Sequence, residues 1–147
     1  MDVITTNRKA RHDYHIIDTL EVGIVLVGSE VKSLRDHKAS LVGSYVSLDG
    51  GEVFVVGMHI DAYDYSGGCS WNGHIPTRTR KLLMHRREVK KFAEKSEQKG
   101  FTIIPLKMYF NDHGIVKLEI AVVQGKKHHD KRQDEKKKQA ERDMKQY

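Results

Sequence analysis

Cysteine is nearly absent from this chain of 147 residues, since Cys69 is the only one. An internal disulfide is therefore excluded, and no second cysteine is available to form a zinc site with any of the nine histidines. Cys69 lies among glycines and small polar residues, which are typical of a loop. We interpret it as a surface thiol.

Long hydrophobic runs are also missing. The longest uninterrupted apolar segments, such as residues 24–27, are far shorter than the roughly 20 residues that a membrane helix needs. No apolar segment follows the basic start of the chain, as a secretory signal peptide would require. We therefore expect a cytoplasmic protein with no membrane partner.

Motifs that commonly carry catalysis are absent as well. The sequence contains neither G-x-G-x-x-G nor a P-loop, and neither H-E-x-x-H nor G-x-S-x-G. His128, His129 and Asp130 could be part of a nuclease or metal site, but no second ligand cluster accompanies them. We expect no enzymatic activity, no metal and no cofactor.

Positive charge is what the chain has in excess. It contains 26 Lys and Arg against 20 Asp and Glu, which gives a net charge of +6 and a pI of about 9.4. This balance favours polyanions such as nucleic acid or an acidic membrane, although a basic protein without such a partner has the same composition. The length and the 38% apolar content suffice for one core, so we expect one domain with an appendage.

Strands dominate the predicted structure. Residues 14–17 and the β-branched run at residues 21–28 predict two strands, the second of them buried. An Asp-Gly-Gly turn after residues 46–48 predicts a hairpin with residues 52–56, and an Asn-Asp-His-Gly turn predicts a longer hairpin from residues 101–110 and 115–123. Pro105 lacks an amide donor, so we expect it at a rim or an edge.

Two helices are predicted between the strands. Residues 29–37 predict a short helix with Ser29 as its N-cap. Residues 80–99 predict a second helix that ends before Gly100. The apolar face of this second helix consists of Leu82, Val89, Phe92 and Ala93.

About six strands with two to three helices favour a mainly β fold. A small closed barrel of the oligonucleotide-binding (OB) type fits best, because closure removes the exposed edges that short strands would otherwise leave. We assign this OB-like barrel to residues 1–125.

The composition changes abruptly after Gly125. Residues 126–147 contain nine Lys or Arg and five Asp or Glu, and therefore carry +4 of the net charge. Their few apolar side chains cannot offset the about 1–2 kcal/mol per residue that ordering a backbone costs. We predict a basic C-terminal tail, residues 126–147, that is disordered when free and helical when bound to a polyanion.

Two further basic clusters lie within residues 7–12 and 78–87. Together with the tail they favour RNA as the partner. Aromatic residues are only 7% of the chain, which argues against a base-stacking platform for single strands. The sequence therefore predicts recognition of a folded RNA by its shape and phosphates.

Six segments resemble, in order, the small protein B (SmpB) family, whose members bind transfer-messenger RNA (tmRNA) in bacterial trans-translation. Six ordered segments that run from near the N-terminus into the tail are far more specific than any one of them. They are NRKARHDY at 7–14, GSEVKSLR at 28–35, GMHI at 57–60, RTRKLLMH at 78–85, PLK at 105–107 and GKKHHDKR at 125–132.

This resemblance implies a non-enzymatic adaptor that delivers tmRNA to the A site of stalled ribosomes, for ribosome rescue and peptide tagging. The barrel would bind the transfer-RNA-like domain of tmRNA, and the tail would occupy the decoding centre and the empty message channel. The implied partners are tmRNA, the 70S ribosome, and elongation factor Tu with alanyl-tmRNA. We expect the protein to be a monomer.

The resemblance also implies which barrel residues bind tmRNA. Glu30, Leu83 and His85 would lie on the RNA-facing surface, although Leu83 could instead belong to the core and Glu30 could only stabilise its helix terminus. We expect that replacing Glu30 weakens tmRNA binding and lowers the melting temperature by no more than a few degrees. The expected phosphate neighbours are Lys32, Arg35, Arg78, Arg80 and Lys81.

In the tail, the resemblance implies a segment that enters the decoding centre, where a histidine would stack on a ribosomal base. Beyond Arg132 the match is only compositional. The segment consists of Gly125, Lys126, Lys127, His129, Asp130, Lys131 and Arg132.

Two other functions remain open. A general RNA-binding or ribosomal OB-barrel protein without tmRNA specificity would share the charge, the fold and the tail, but not the six ordered segments. A metal-dependent nuclease would instead cleave RNA in the presence of magnesium.

Overall fold

Nine strands and three helices make up the part of the chain that the structure, a computed structural model, describes, namely residues 1–62 and 74–125. The strands are β1 (Asp2–Thr6), β2 (Tyr14–Ile24), β3 (Ala39–Ser40), β4 (Tyr45–Asp49), β5 (Glu52–Val56), β6 (His59–Ile60), β7 (Arg80–Leu83), β8 (Phe101–Phe110) and β9 (Val116–Gly125). The helices are α1 (Arg8–Asp13), α2 (Gly28–Arg35) and α3 (Arg86–Ser96).

Seven of these strands form one antiparallel sheet in the order β1-β8-β9-β2-β7-β5-β4, and β3 pairs with β6. The predicted mainly β fold is confirmed. The predicted closure is wrong, because within the described residues no hydrogen-bonded pairing joins the terminal strands β1 and β4. Instead β4 packs across β8, so the sheet curls over its own core without joining its edges.

The main core lies on the inner face of this curled sheet. Side chains alternate between the faces along each strand, so that in β7 Arg80 and Leu82 are buried while Lys81 and Leu83 are exposed. Helix α3 contributes its buried Phe92, and α2 contributes Leu34. Each such apolar side chain stabilises the fold by about 1.5–3 kcal/mol.

A second, smaller cluster lies on the outer face of β8 and β9, beneath α1. Asn7 begins this helix: its Oδ1 accepts from the Ala10 amide at 3.2 Å, and its Nδ2 donates to the Pro105 carbonyl at 3.2 Å and to the Leu41 carbonyl at 3.4 Å. Helix α1 therefore covers one end of the outer face. The buried members of the cluster are Ala10, Ile104, Leu106, Ala121 and Val123.

Both predicted hairpins are confirmed. Gly50 and Gly51 join β4 to β5 with φ of 57° and 83°, the left-handed conformation that a two-residue hairpin turn requires. β8 and β9 form the longer hairpin. Pro105 pairs with Ile120 of β9, next to an irregularity of the β8–β9 ladder. On its other side the pairing of β8 with β1 stops at Lys107, so β8 is an edge strand at Pro105, as expected.

Other local predictions are wrong. The strands expected at residues 14–17 and 21–28 are parts of one strand, β2, which ends at Ile24 before α2 begins at Gly28, and only Val22 in it is buried. The helix expected over residues 80–99 begins at Arg86, because the preceding residues form β7 between β2 and β5. Gly100 lies in the turn before β8, four residues after the helix ends.

Candidate nucleic-acid interface

Glu30 lies in the first turn of α2 and is fully buried. Its Oε1 accepts from the Val27 amide at 2.9 Å and from Nη2 of Arg78 at 2.6 Å. Its Oε2 accepts from Nε of Arg80. One carboxylate therefore caps the helix and binds two arginines that lie 48 and 50 residues further along the chain.

Arg80 is the fully buried partner of this carboxylate. Its remaining donors bind backbone carbonyls: Nη1 donates to Met58 at 2.8 Å and Nη2 to Pro76 at 2.9 Å. A buried ion pair is tolerated only when further hydrogen bonds satisfy both groups, and this pair meets that condition. The pair links α2 to the segments before β6 and before β7.

Arg78 is the member of the cluster that reaches the surface, with 34% of its side chain exposed. Its Nη2 also lies 3.4 Å from the Val25 carbonyl. Its buried Nε has no hydrogen-bond partner in the described part of the chain. The Arg78 guanidinium is thus fixed on Glu30 through Nη2 and has its Nε buried, while about a third of the side chain, 34%, remains exposed.

The electrostatics of this cluster favour the charged forms. Burial raises the pKa of the Glu30 carboxyl, but the hydrogen bonds from Arg78, Val27 and Arg80 outweigh it, and the pKa lies below its ordinary value. Burial lowers the pKa of the Arg80 guanidinium, and Glu30 opposes that effect. Arginine remains protonated all the same, so a buried anion and a buried cation face each other.

The structure corrects the expected surface positions of Glu30 and Arg80. Both side chains have no exposed area, so neither reaches the surface at which RNA would bind. The alternative role of Glu30 at the helix terminus agrees with its bond to the Val27 amide. Ser29 is not the N-cap; its Oγ instead bonds Nδ1 of His74 at 2.9 Å.

The other expected barrel residues are at the surface. Leu83 is 55% exposed, because it lies in a strand and not in the apolar stripe of a helix, and the core alternative for it is wrong. Lys81 is exposed two residues before it, with Nζ 3.6 Å from Oε1 of Glu52. His85 stands before α3, where its amide donates to Oε1 of Glu88 at 3.1 Å.

The remaining expected cations lie on α2, where Lys32 and Arg35 are both exposed. At the opposite end of the fold, Gly125 ends β9 and pairs with Tyr14. The other tail residues of the implied decoding-centre segment lie outside the described residues, as does Cys69.

Ligands for a metal do not cluster in the described ranges, 1–62 and 74–125: no group of three or more His, Cys, Asp or Glu side chains lies close enough to hold an ion. No helix within these ranges is both long and apolar enough to cross a membrane.

Comparisons with known proteins agree on one family. A family model described as SmpB protein matches residues 4–147. An SsrA-binding protein of Corynebacterium urealyticum is 54% identical over 97% of this chain and 78% of its own length. An SsrA-binding protein of Nocardia farcinica is 51% identical over 97% of this chain and 86% of its own length.

A solved structure described as "tmRNA-SmpB: a journey to the center of the bacterial ribosome" contains a chain of similar fold. The TM-score is 0.71 and the sequence identity 41%, over 87% of this chain and 87% of that chain.

Proposed function

This chain belongs to the SmpB family, and from that membership we propose that it binds tmRNA and delivers it to the A site of stalled ribosomes in trans-translation. The observation that carries the proposal is the match of the family model to residues 4–147, with relatives named for binding SsrA RNA, which is tmRNA, at about half identity over 97% of the chain. The basic surface beside α2 and β7 supports it.

The two parts of the chain have separate roles in this proposal. Residues 1–125 bind the transfer-RNA-like domain of tmRNA, and the tail occupies the decoding centre and the vacant message channel. Elongation factor Tu with alanyl-tmRNA is the further partner. The protein acts in the cytoplasm as a monomer, and it acts by binding: its relatives are named as binding proteins.

Within the barrel, Glu30 acts on RNA through Arg78. The carboxylate is buried and fixes Nη2 of Arg78, whose side chain is partly exposed, so Glu30 positions a cation that meets a phosphate. Lys32, Arg35, Lys81, Leu83 and His85 form the surrounding exposed contact surface.

The test is the affinity of the full chain for tmRNA, titrated against excess unrelated transfer RNA at near-physiological salt. A specific adaptor keeps its complex, whereas binding through phosphates alone weakens steeply with salt and yields to the competitor. Loss of the complex would favour a general RNA-binding barrel. Cleavage of labelled RNA by the pure protein with magnesium would favour the nuclease.

A further inference from the structure

Helix α3 lies with Phe92 in the main core, and one of its two flanks is closed by ion pairs. On that flank Lys91 and Lys95 share the carboxylate of Asp18 in β2: Nζ of Lys95 lies 2.7 Å and Nζ of Lys91 lies 3.7 Å from its Oδ2. The two lysines are four residues apart and therefore project from the same side of the helix. The β2 flank of α3 thus carries its own counter-charge.

The other flank of α3 carries two cations without a counter-charge. Arg86 and Lys90 are also four residues apart, so they project together, and both are exposed. Within residues 1–62 and 74–125, neither of them forms an ion pair. Like charges at this spacing destabilise a helix, and an external anion beside them would remove that cost.

A groove of about 570 Å³, which we call the α3 groove, separates these two cations from the turn between β4 and β5. A Cβ atom placed on either glycine of this turn would meet no atom within 4 Å, so the turn side of the groove is open backbone. Val89 is half-buried against the main core and gives the groove an apolar floor. The lining residues are Gly50, Gly51, Glu52, Arg86, Val89 and Lys90.

We propose that the α3 groove docks an extended acidic segment of a partner protein. An apolar side chain of that segment packs on Val89, and carboxylates on either side of it bind Arg86 and Lys90. In an extended peptide, residues two positions apart project from the same face, so an acid-x-apolar-x-acid pattern presents these three groups together. Arginine clusters recognise acidic segments in this way. The inference goes beyond tmRNA binding and does not rest on it.

The composition of the groove favours a protein segment over RNA. An apolar floor beside a charged rim is typical of protein interfaces, in which arginine is enriched. Glu52 also lies in the lining, where its carboxylate is 3.6 Å from Nζ of Lys81. The continuous charge of an RNA backbone would pass beside this carboxylate, whereas a peptide can place an uncharged residue there.

The test titrates the full chain with the capped peptide Asp-Ser-Leu-Ser-Asp and follows the backbone amide signals by NMR. Shifts are expected at residues 50–52 and 86–90, which border the groove. Two further peptides separate charge from apolar contact. Asp-Ser-Ser-Ser-Asp keeps the charge and is expected to bind severalfold more weakly, and Asn-Ser-Leu-Ser-Asn lacks the carboxylates and is expected to cause no shifts at these residues.

Matched variants assign the contact to the two cations. Arg86→Gln combined with Lys90→Gln is expected to weaken binding of Asp-Ser-Leu-Ser-Asp about fivefold or more. Lys38→Gln combined with Lys99→Gln removes the same charge from two exposed lysines outside the groove, and is expected to change the affinity by less than about twofold. Because the first variant removes a like-charge pair, it is expected to melt no lower than the parent.

Three outcomes would overturn the inference: no shifts at the groove, equal weakening by both pairs of substitutions, or displacement of the bound peptide by added tmRNA. The last outcome would assign the groove to RNA. A peptide that stays bound in the presence of tmRNA supports a separate protein-docking site. Loss of tmRNA to excess transfer RNA would overturn the proposed function and leave this inference standing, because the peptide titration contains no RNA competitor.

Discussion

Glu30 forms ion pairs with Arg78 and Arg80, and both Glu30 and Arg80 are fully buried. Glu30→Gln keeps the shape of the side chain but leaves Arg80 buried without a counter-charge. Breaking a buried ion pair in this way costs about 3–5 kcal/mol. We therefore expect the free energy of unfolding, measured by urea denaturation, to fall by about 3 kcal/mol. This loss of stability is larger than the decrease of a few degrees in melting temperature that was expected from the sequence.

Glu94→Gln is the matched control, because Glu94 is an exposed residue on α3. Its effect is expected to stay within about 0.5 kcal/mol. A loss below about 1 kcal/mol for Glu30→Gln would mean that water enters the cluster and compensates Arg80.

The same carboxylate makes stability depend on pH. The folded-state pKa of Glu30 lies below its ordinary value of 4.5, so the unfolded chain takes up the proton first as the pH falls. The stability that the carboxylate contributes is complete above pH 4.5 and is lost as the pH falls through the lower folded-state pKa. Urea midpoints from about pH 7 down to about pH 3 should show the gap between the parent and Glu30→Gln narrowing. A constant gap would contradict this assignment.

At the scale of single residues, the sequence offers candidate site residues but does not predict their contacts or their burial. The resemblance implies RNA contacts for Glu30, Arg78 and Arg80, whereas in the structure the three form one ion-pair cluster in which Glu30 and Arg80 are buried. No local sequence pattern predicts contacts between residues about 50 positions apart. The ion pairs of Glu30, and the burial of Glu30 and Arg80, are seen only when the fold brings α2 and β7 together.

Among the elements, the β4–β5 hairpin offers the sharpest test of local backbone chemistry. Gly51 has φ of 83°, where a side chain is strained, whereas Gly28 begins α2 without a positive φ and with open space around it. Gly51→Ala is expected to lower the free energy of unfolding by about 1–2 kcal/mol. Gly28→Ala is expected to be neutral or stabilising by up to about 1 kcal/mol. Equal effects in thermal unfolding would contradict the turn assignment.

The elements that the sequence predicts are those with local signals. Both hairpins have turn residues between two β-prone segments, and a helix over most of α3 follows from its apolar spacing. β7 could not be predicted, because Leu82 also fits the apolar stripe of the following helix, and only pairing with β2 and β5 makes it a strand. Helix α1 was missed because it depends on Asn7, whose partners include carbonyls of two distant segments.

For the whole molecule, the division between barrel and tail yields a prediction. Within the described residues, 1–62 and 74–125, both buried clusters are complete sets of barrel residues, so a chain shortened at residue 125 keeps every one of these side chains. The shortened chain is expected to melt within a few degrees of the parent and to keep most of its tmRNA affinity, but to lose tagging of stalled peptides in a reconstituted translation assay.

A chain with residues 126–147 in shuffled order is the matched control, since it keeps the tail's charge of +4. It is expected to fail in tagging as well, because the implied decoding-centre contacts depend on residue order. Tagging by the shortened chain would refute the division of roles, and tagging by the shuffled chain would show that charge alone suffices.

Strand β2 connects the two ends of the molecule. Gly23, which pairs with Leu83 of β7, lies near one end of β2, and Tyr14, which pairs with Gly125 where the tail begins, lies at the other. At about 3.3 Å per residue these positions are about 30 Å apart, and pairing with β9 along nearly the whole strand holds β2 extended. The strand is thus a spacer of fixed length: it keeps the exposed surface around Leu83 and the residue at which the tail begins about 30 Å apart.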